Sequence, residues 1–176
     1  MLKSAEVQWL RRFALKGERM MHPMRRKDRQ RDRDFGLAVI DRCEYGTVAI
    51  QGEEPYCLPL SLVRVGEDLY FHCALVGKKI DLLRENNVVW VSFVGENTAA
   101  KDDFTTYFTS AMVKGTAAEV TDEAEKIMAL RALCEKLTPT HMPAFDAAIA
   151  RSLAVTGVWK IHMDQISAKE KAVPAK

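Results

Sequence analysis

Between positions 69 and 83 the chain reads LYFHCALVGKKIDLL. An imidazole (His72), a thiol (Cys73) and two ammonium groups (Lys78, Lys79) crowd into this one short stretch. The pattern predicts a β-strand that delivers His72 and Cys73 to its carboxyl end, a glycine-containing turn, and a helix opened by the lysines. A helix N-terminus presents free N–H groups and the positive end of its dipole, so lysines placed there would make a pocket for a phosphate monoester. The same lysines also read as a solvated first turn, which the dipole disfavours but tolerates, and the residues alone leave both readings open. His72 is equally open: it is an imidazole of the kind that moves protons near neutral pH, or a half-buried strand residue with a satisfied hydrogen bond.

Other chemical signatures are missing. The chain contains no GxGxxG, no Walker loop, no HExxH and no GxSxG, which removes the common nucleotide, metalloprotease and hydrolase readings. His22, His72, His141 and His162 lie in separate segments, and none is paired at helical spacing with another histidine or a cysteine, so no metal site is expected. Cys43, Cys57, Cys73 and Cys134 form no CxxC pair; free thiols in a reducing cytoplasm are the expectation.

The elements that must position these groups follow from the pattern. With 176 residues, 48% hydrophobic and 28% charged, the chain has the material for one globular domain. No apolar run reaches the length of about 18 residues that a membrane helix requires, and Arg11, Arg12 and Lys16 interrupt the one stretch that resembles a signal peptide. The net charge of +2 divides unevenly: residues 1–34 hold 11 Lys/Arg and 5 Asp/Glu, so the remainder is mildly acidic. Residues 4–16 place Val7, Leu10, Phe13 and Ala14 at helical spacing, and residues 21–34 read as a solvated basic arm. Asp28, Asp32 and Asp34 break its positive field and no aromatic is interleaved, so neither nucleic acid nor a membrane surface is an expected partner.

From Asp34, a capping residue, a helix carrying Leu37, Ile40 and Cys43 should run to about Tyr45–Gly46. Three antiparallel strands then follow at 47–51, 56–65 and 69–74, separated by turn signals at Gly52–Pro55 and Gly66–Asp68. Pro59 lacks an N–H for the ladder, which puts its strand at an edge or a bulge and leaves backbone free for something else. Next come a short helix over 77–87 with Ile80, Leu82 and Leu83 inward, and a continuous apolar strand at 88–94 that should be buried. A long β-prone run over 104–120 bends at Gly115, and a helix opens at Thr121–Glu123 and stops at Thr138–Pro139. A short helix over 144–153, a last strand over 155–163 and a tail from Ser167 complete the chain. The sum is mainly β with flanking helices, a small antiparallel barrel, closed or split, and not a doubly wound sheet.

The segment FHCALVGKKIDLL, preceded by EEPYCLPLSLV (53–63) and followed by VVWVSFVG (88–95), resembles the split barrel of the pyridoxamine 5′-phosphate oxidase superfamily, which binds FMN. MRRKDR (24–29), DRCEYGTVAI (41–50) and FTSAMVKGTAAEVTDEAEK (108–126) resemble, more narrowly, the 5-nitroimidazole resistance (Nim) proteins. The resemblance covers about residues 24–167 and implies an FMN-binding split-barrel domain over 35–167, which leaves the N-terminal helix and basic arm over 1–34 and a C-terminal tail over 168–176. It implies that the strand holding Leu58, Pro59, Leu60, Ser61, Leu62 and Val63 lays its backbone along the flavin ring, and that His72 and Cys73 border that ring. Lys78 and Lys79 would hold the FMN phosphate, and Ser110 would reach the ring or ribityl chain, often from the other subunit of a homodimer with cofactor sites at its interface. The implied activity is passage of electrons from reduced flavin to a small acceptor, such as the nitro group of a 5-nitroimidazole, with His72 as proton donor or hydrogen-bond partner. A deazaflavin (F420), a haem held by His72 or His162, or flavin binding without turnover are the other readings of the same barrel. Two departures stand out: Phe108-Thr109-Ser110-Ala111 replaces the usual Tyr-Arg-Ser-Val, and a Lys-Lys pair replaces the Arg-Lys of the vitamin B6 oxidases. With no C-terminal arginine-containing segment for pyridoxal phosphate either, a vitamin B6 oxidase is not expected.

Overall fold

The computed structural model describes residues 21–101 and 103–174. The predicted helix over 4–16 lies outside the described residues. Among the described residues eight strands and four α-helices are arranged in the order β1 (Gln30–Arg31), α1 (Arg33–Arg42), β2 (Tyr45–Gln51), β3 (Pro55–Ser61), β4 (Val63–Val65) and β5 (Asp68–Cys73). Then follow α2 (Lys78–Glu85), β6 (Val88–Ala99), β7 (Thr106–Glu119), α3 (Glu123–Leu137), α4 (Phe145–Ser152) and β8 (Gly157–Lys171). The strands form one antiparallel sheet in the order β3-β2-β6-β7-β8-β5-β4, with β1 attached to β8. Curled on itself, this sheet is a split barrel, as the strand spacing predicts.

Alternation along the strands fills the barrel. Val48 and Ile50 from β2, Leu69 and Phe71 from β5, Val89, Val91 and Phe93 from β6, Val113 from β7 and Ile161 from β8 point inward and are almost fully buried, and Ile40 of α1 joins the same cluster. A second apolar cluster lies outside the barrel wall, where Val63, Tyr70 and Val158 meet Leu130 and Leu133 of α3 and Phe145 of α4. The hydroxyl of Tyr70 donates to Glu125 at 2.8 Å and Lys160 donates to the same carboxylate oxygen at 2.8 Å, which ties α3 to β5 and β8.

The sequence expectations hold for most elements and fail at five places. Asp32, not Asp34, caps α1: its side chain accepts from Phe35 N at 2.8 Å, and the helix stops at Arg42 because Cys43 is already extended. The arm expected to be solvated to Asp34 instead joins the sheet at Gln30–Arg31, opposite Lys169 and Ala168. The strand expected over 56–65 breaks at Leu62. Its halves then part, β3 pairing with β2 at one end of the strand order and β4 with β5 at the other. The apolar run at 88–94 is not buried on both sides: Val89, Val91 and Phe93 are inside, whereas Trp90 is 38% and Val94 61% exposed. Finally, β8 continues through Lys171 with Ala168 buried, so the expected tail starts only after it.

Pro59 does lie on an edge strand, opposite Thr47 with no strand of the described residues on its other side. Gly115 does mark an irregularity: the β7–β8 register shifts between Lys114 and Thr116, and a Cβ at Gly115 would stand 2.4 Å from His162 O. Only glycine lets the two backbones approach that closely.

Candidate functional site

Strand β5 delivers His72 and Cys73 to its end, beside Val158 and Gly157 of β8. Because successive strand residues point to opposite faces, the two side chains diverge. Cys73 turns toward the barrel interior and is partly buried; His72 points outward and is exposed. Burial pushes the Cys73 thiol up from its ordinary value, Lys79 opposes that shift, and Glu119 adds to it. The thiol therefore stays protonated at neutral pH.

The chain then turns through Gly77, at φ 130°, into α2. Gly77 gives the helix no side-chain cap, and a Cβ there would meet nothing within 4 Å, so the start of α2 faces open space. The lysine amines lie over aromatic rings of two different strands: Lys78 Nζ is 5.2 Å from the Tyr56 ring centroid on β3, and Lys79 Nζ is 5.1 Å from that of Phe71 on β5. The Lys78–Tyr56 contact, at the more exposed of the two rings, contributes about 0.5–1 kcal/mol. Helix α2 thus bridges β3 and β5, with two cations and an uncapped dipole end on one short stretch. Chemically this suits an anion.

The six residues from Leu58 to Val63 divide three ways. Leu58 and Leu60 pack against the barrel core, and Leu62 is buried within it. Pro59 and Ser61 point outward and are exposed. Val63 belongs to β4 and to the second apolar cluster. Ser110 also faces outward, between Val94 of β6 and Lys169 of β8, and is partly buried. Pro59, Ser61 and Ser110 therefore share the outer surface of the sheet, but β2 and β6 separate β3 from β7. At about 4.8 Å per strand, that puts β3 and β7 about 14 Å apart.

Two features had no signal in the sequence. The first is Lys136, whose Nζ donates to Cys43 O at 2.6 Å and to Leu62 O at 3.0 Å across 93 and 74 positions of chain. The second is the outer face itself, where Tyr45, Val88, Trp90, Val94 and Met112 are exposed together. Beside it, a cavity of about 360 Å³ is lined by Cys43, Tyr45, Val94, Gly95 and Thr109, among others. His162 is engaged with Asp68, Nδ1 to Oδ1 at 2.9 Å. Among the described residues no group of three or more His, Cys, Asp and Glu could hold a metal ion, and no helix is long and apolar enough to cross a membrane.

Comparison with known proteins fits this architecture. The family model described as pyridoxamine 5′-phosphate oxidase matches residues 32–170, and the chain belongs to that family. No curated protein matches the sequence. Among solved structures, a candidate 5-nitroimidazole antibiotic resistance protein from Bacteroides thetaiotaomicron is 24% identical with a TM-score of 0.65, covering 79% of this chain and 84% of its own. The flavocytochrome Anf3 from Azotobacter vinelandii is 24% identical with a TM-score of 0.74, over 87% and 74% of the two chains. A FAD- and haem-binding protein from Mycobacterium smegmatis is 22% identical with a TM-score of 0.71, over 84% and 76%. At such identities these likenesses establish a shared fold.

Proposed function

We propose that this protein is a cytoplasmic, homodimeric FMN-binding flavoprotein of the 5-nitroimidazole-resistance type, an oxidoreductase that passes electrons from reduced flavin to a small acceptor such as a nitro group. The observation that carries the reading is the start of α2, where Lys78 and Lys79 reach Tyr56 and Phe71 on the two strands it bridges. A phosphate monoester there would meet the uncapped helix dipole and both ammonium groups. The exposed backbone of β3 from Leu58 to Ser61, interrupted by Pro59, would lie along the ring. His72, exposed at the end of β5, would donate a proton or hydrogen bond to the acceptor. Flavin, when bound, supplies the redox chemistry; the chain binds it, orients it and limits what reaches it.

The dimer is part of the same reading. A sheet face bearing Trp90, Val94 and Met112 in the open is the kind of patch that a second copy covers. Ser110 lies on that face, three strands away from Pro59, so it would serve a cofactor held by the partner more readily than one held by its own β3. A flavocytochrome and a FAD- and haem-binding protein share this fold, which makes FAD or haem the competing reading.

The test is uptake by the purified protein. Incubation with FMN, FAD, F420 and haem in parallel should give the absorption bands of bound oxidised flavin with FMN. Replacing Lys78 or Lys79 by Ala should weaken FMN binding at least about tenfold each, the usual loss for a charge-assisted hydrogen bond. His72→Ala should keep FMN and slow nitro reduction. A Soret band without flavin uptake, or Kd values unmoved by both lysine substitutions, would contradict the assignment.

A further inference from the structure

The proposed flavin strand is held by very little. On one side β3 pairs with β2, and on the other no strand of the described residues pairs with it, while Pro59 removes one of its own donors. Its last residue, Ser61, pairs with Tyr45, and the next, Leu62, belongs to no strand. The Leu62 carbonyl is therefore not taken up in a ladder. A carbonyl at such a break needs another donor, and here that donor is Lys136 Nζ at 3.0 Å.

Lys136 sits in the last turn of α3, and its ammonium also donates to Cys43 O at 2.6 Å, the carbonyl of the residue that ends α1. One side chain thus holds the end of α1, the end of β3 and the end of α3 at a single point. Burial pulls its pKa below the ordinary lysine value, while Asp41, Cys43 and Glu44 pull it back. A cation is held in a partly desolvated place by two carbonyls, while the carboxylate of nearby Asp41 is paired with Arg64.

We propose that Lys136 is a positioning residue for the flavin ring: by fixing the Leu62 carbonyl it sets where the backbone of Leu58–Ser61 lies. This rests on the flavin reading above. The proposal assigns a role to α3, which is otherwise an outer helix packed on the second apolar cluster. Loss of the ammonium frees the last peptide of β3 to shift, and a ring lying along that peptide loses its register.

The experiment compares Lys136→Met, Lys136→Arg and Tyr70→Phe in the full-length protein. Tyr70→Phe loosens the same helix, by removing the hydrogen bond to Glu125, without touching Leu62. For each, the FMN Kd is read by fluorescence quenching, the visible band shape of bound FMN is recorded, and Tm is measured. Lys136→Met should raise Kd about tenfold and alter the band shape, Lys136→Arg should restore most of both, and Tyr70→Phe should lower Tm while leaving Kd and spectrum unmoved. Should Met at 136 prevent folding, Lys136→Gln, which keeps a donor, must raise Kd about threefold. An unmoved Kd in the Lys136 variants overturns this inference alone. So does a Tyr70→Phe that weakens FMN as much as Lys136→Met. Wild-type protein that takes up no FMN overturns the flavin reading and this one with it.

Discussion

Four lysines show how environment decides what an ammonium group can do. Lys78 and Lys79 stand over aromatic rings at a helix start, where an anion could join them; Lys136 rests on carbonyls; Lys160 is joined to Glu125. The last pair yields a pH prediction. Glu125 accepts from Lys160 and Tyr70, and these bonds hold its carboxyl below the ordinary value of 4.5. A carboxylate depressed in the folded state contributes stability that is complete above its unfolded pKa and disappears as pH falls through its folded one. Wild-type Tm should therefore fall on acidification below about pH 4.5, while Glu125→Gln should be less stable at pH 7, by under about 1 kcal/mol, and lose less on acidification. Equal acid slopes in thermal melts would refute it. The reactive residues on either side of Gly77 could be picked out from sequence because they are concentrated in a few positions of one segment. Lys136 could not, because its acceptors are backbone atoms that have no side-chain signature.

Gly115 shows how one residue shapes an element. A methyl group at that position would meet the His162 carbonyl at 2.4 Å, and backbone cannot yield as a flexible side chain does. Gly115→Ala should cost at least about 3 kcal/mol, the upper range for overpacking. At this chain length that corresponds to a Tm lower by about 6–12 °C. A Tm within 2 °C or so of wild type would show that the bulge can relax. The bend itself was predictable because glycine in a long β-prone run is a recognisable punctuator. The break at Leu62 was not: LPLSLVRV offers no breaker at that point, and only the separate partners of β3 and β4 impose it. The strand at 88–94 misled for a different reason. Its outward residues are themselves apolar, so period-two alternation was hidden in a continuous hydrophobic run.

That apolar outer face belongs to the scale of the whole molecule. Trp90 pairs in register with Lys114. Trp90→Lys would set two ammonium groups opposite each other and remove the largest apolar side chain of the patch. If two copies meet there, the change should cost more than about 2 kcal/mol of association, an increase of about thirtyfold or more in the dimer dissociation constant. Sedimentation velocity would show it, and an unchanged dimer would place the interface elsewhere. The break at Leu62 also has a mechanical side. Strands β3 and β4 are the two ends of the sheet, with no hydrogen-bonded ladder between them, and they are joined through one residue. The chain at Leu62 works like the clasp of a belt: a cut there severs no ladder, yet it lets the two edges of the barrel move apart and the sheet begin to unroll.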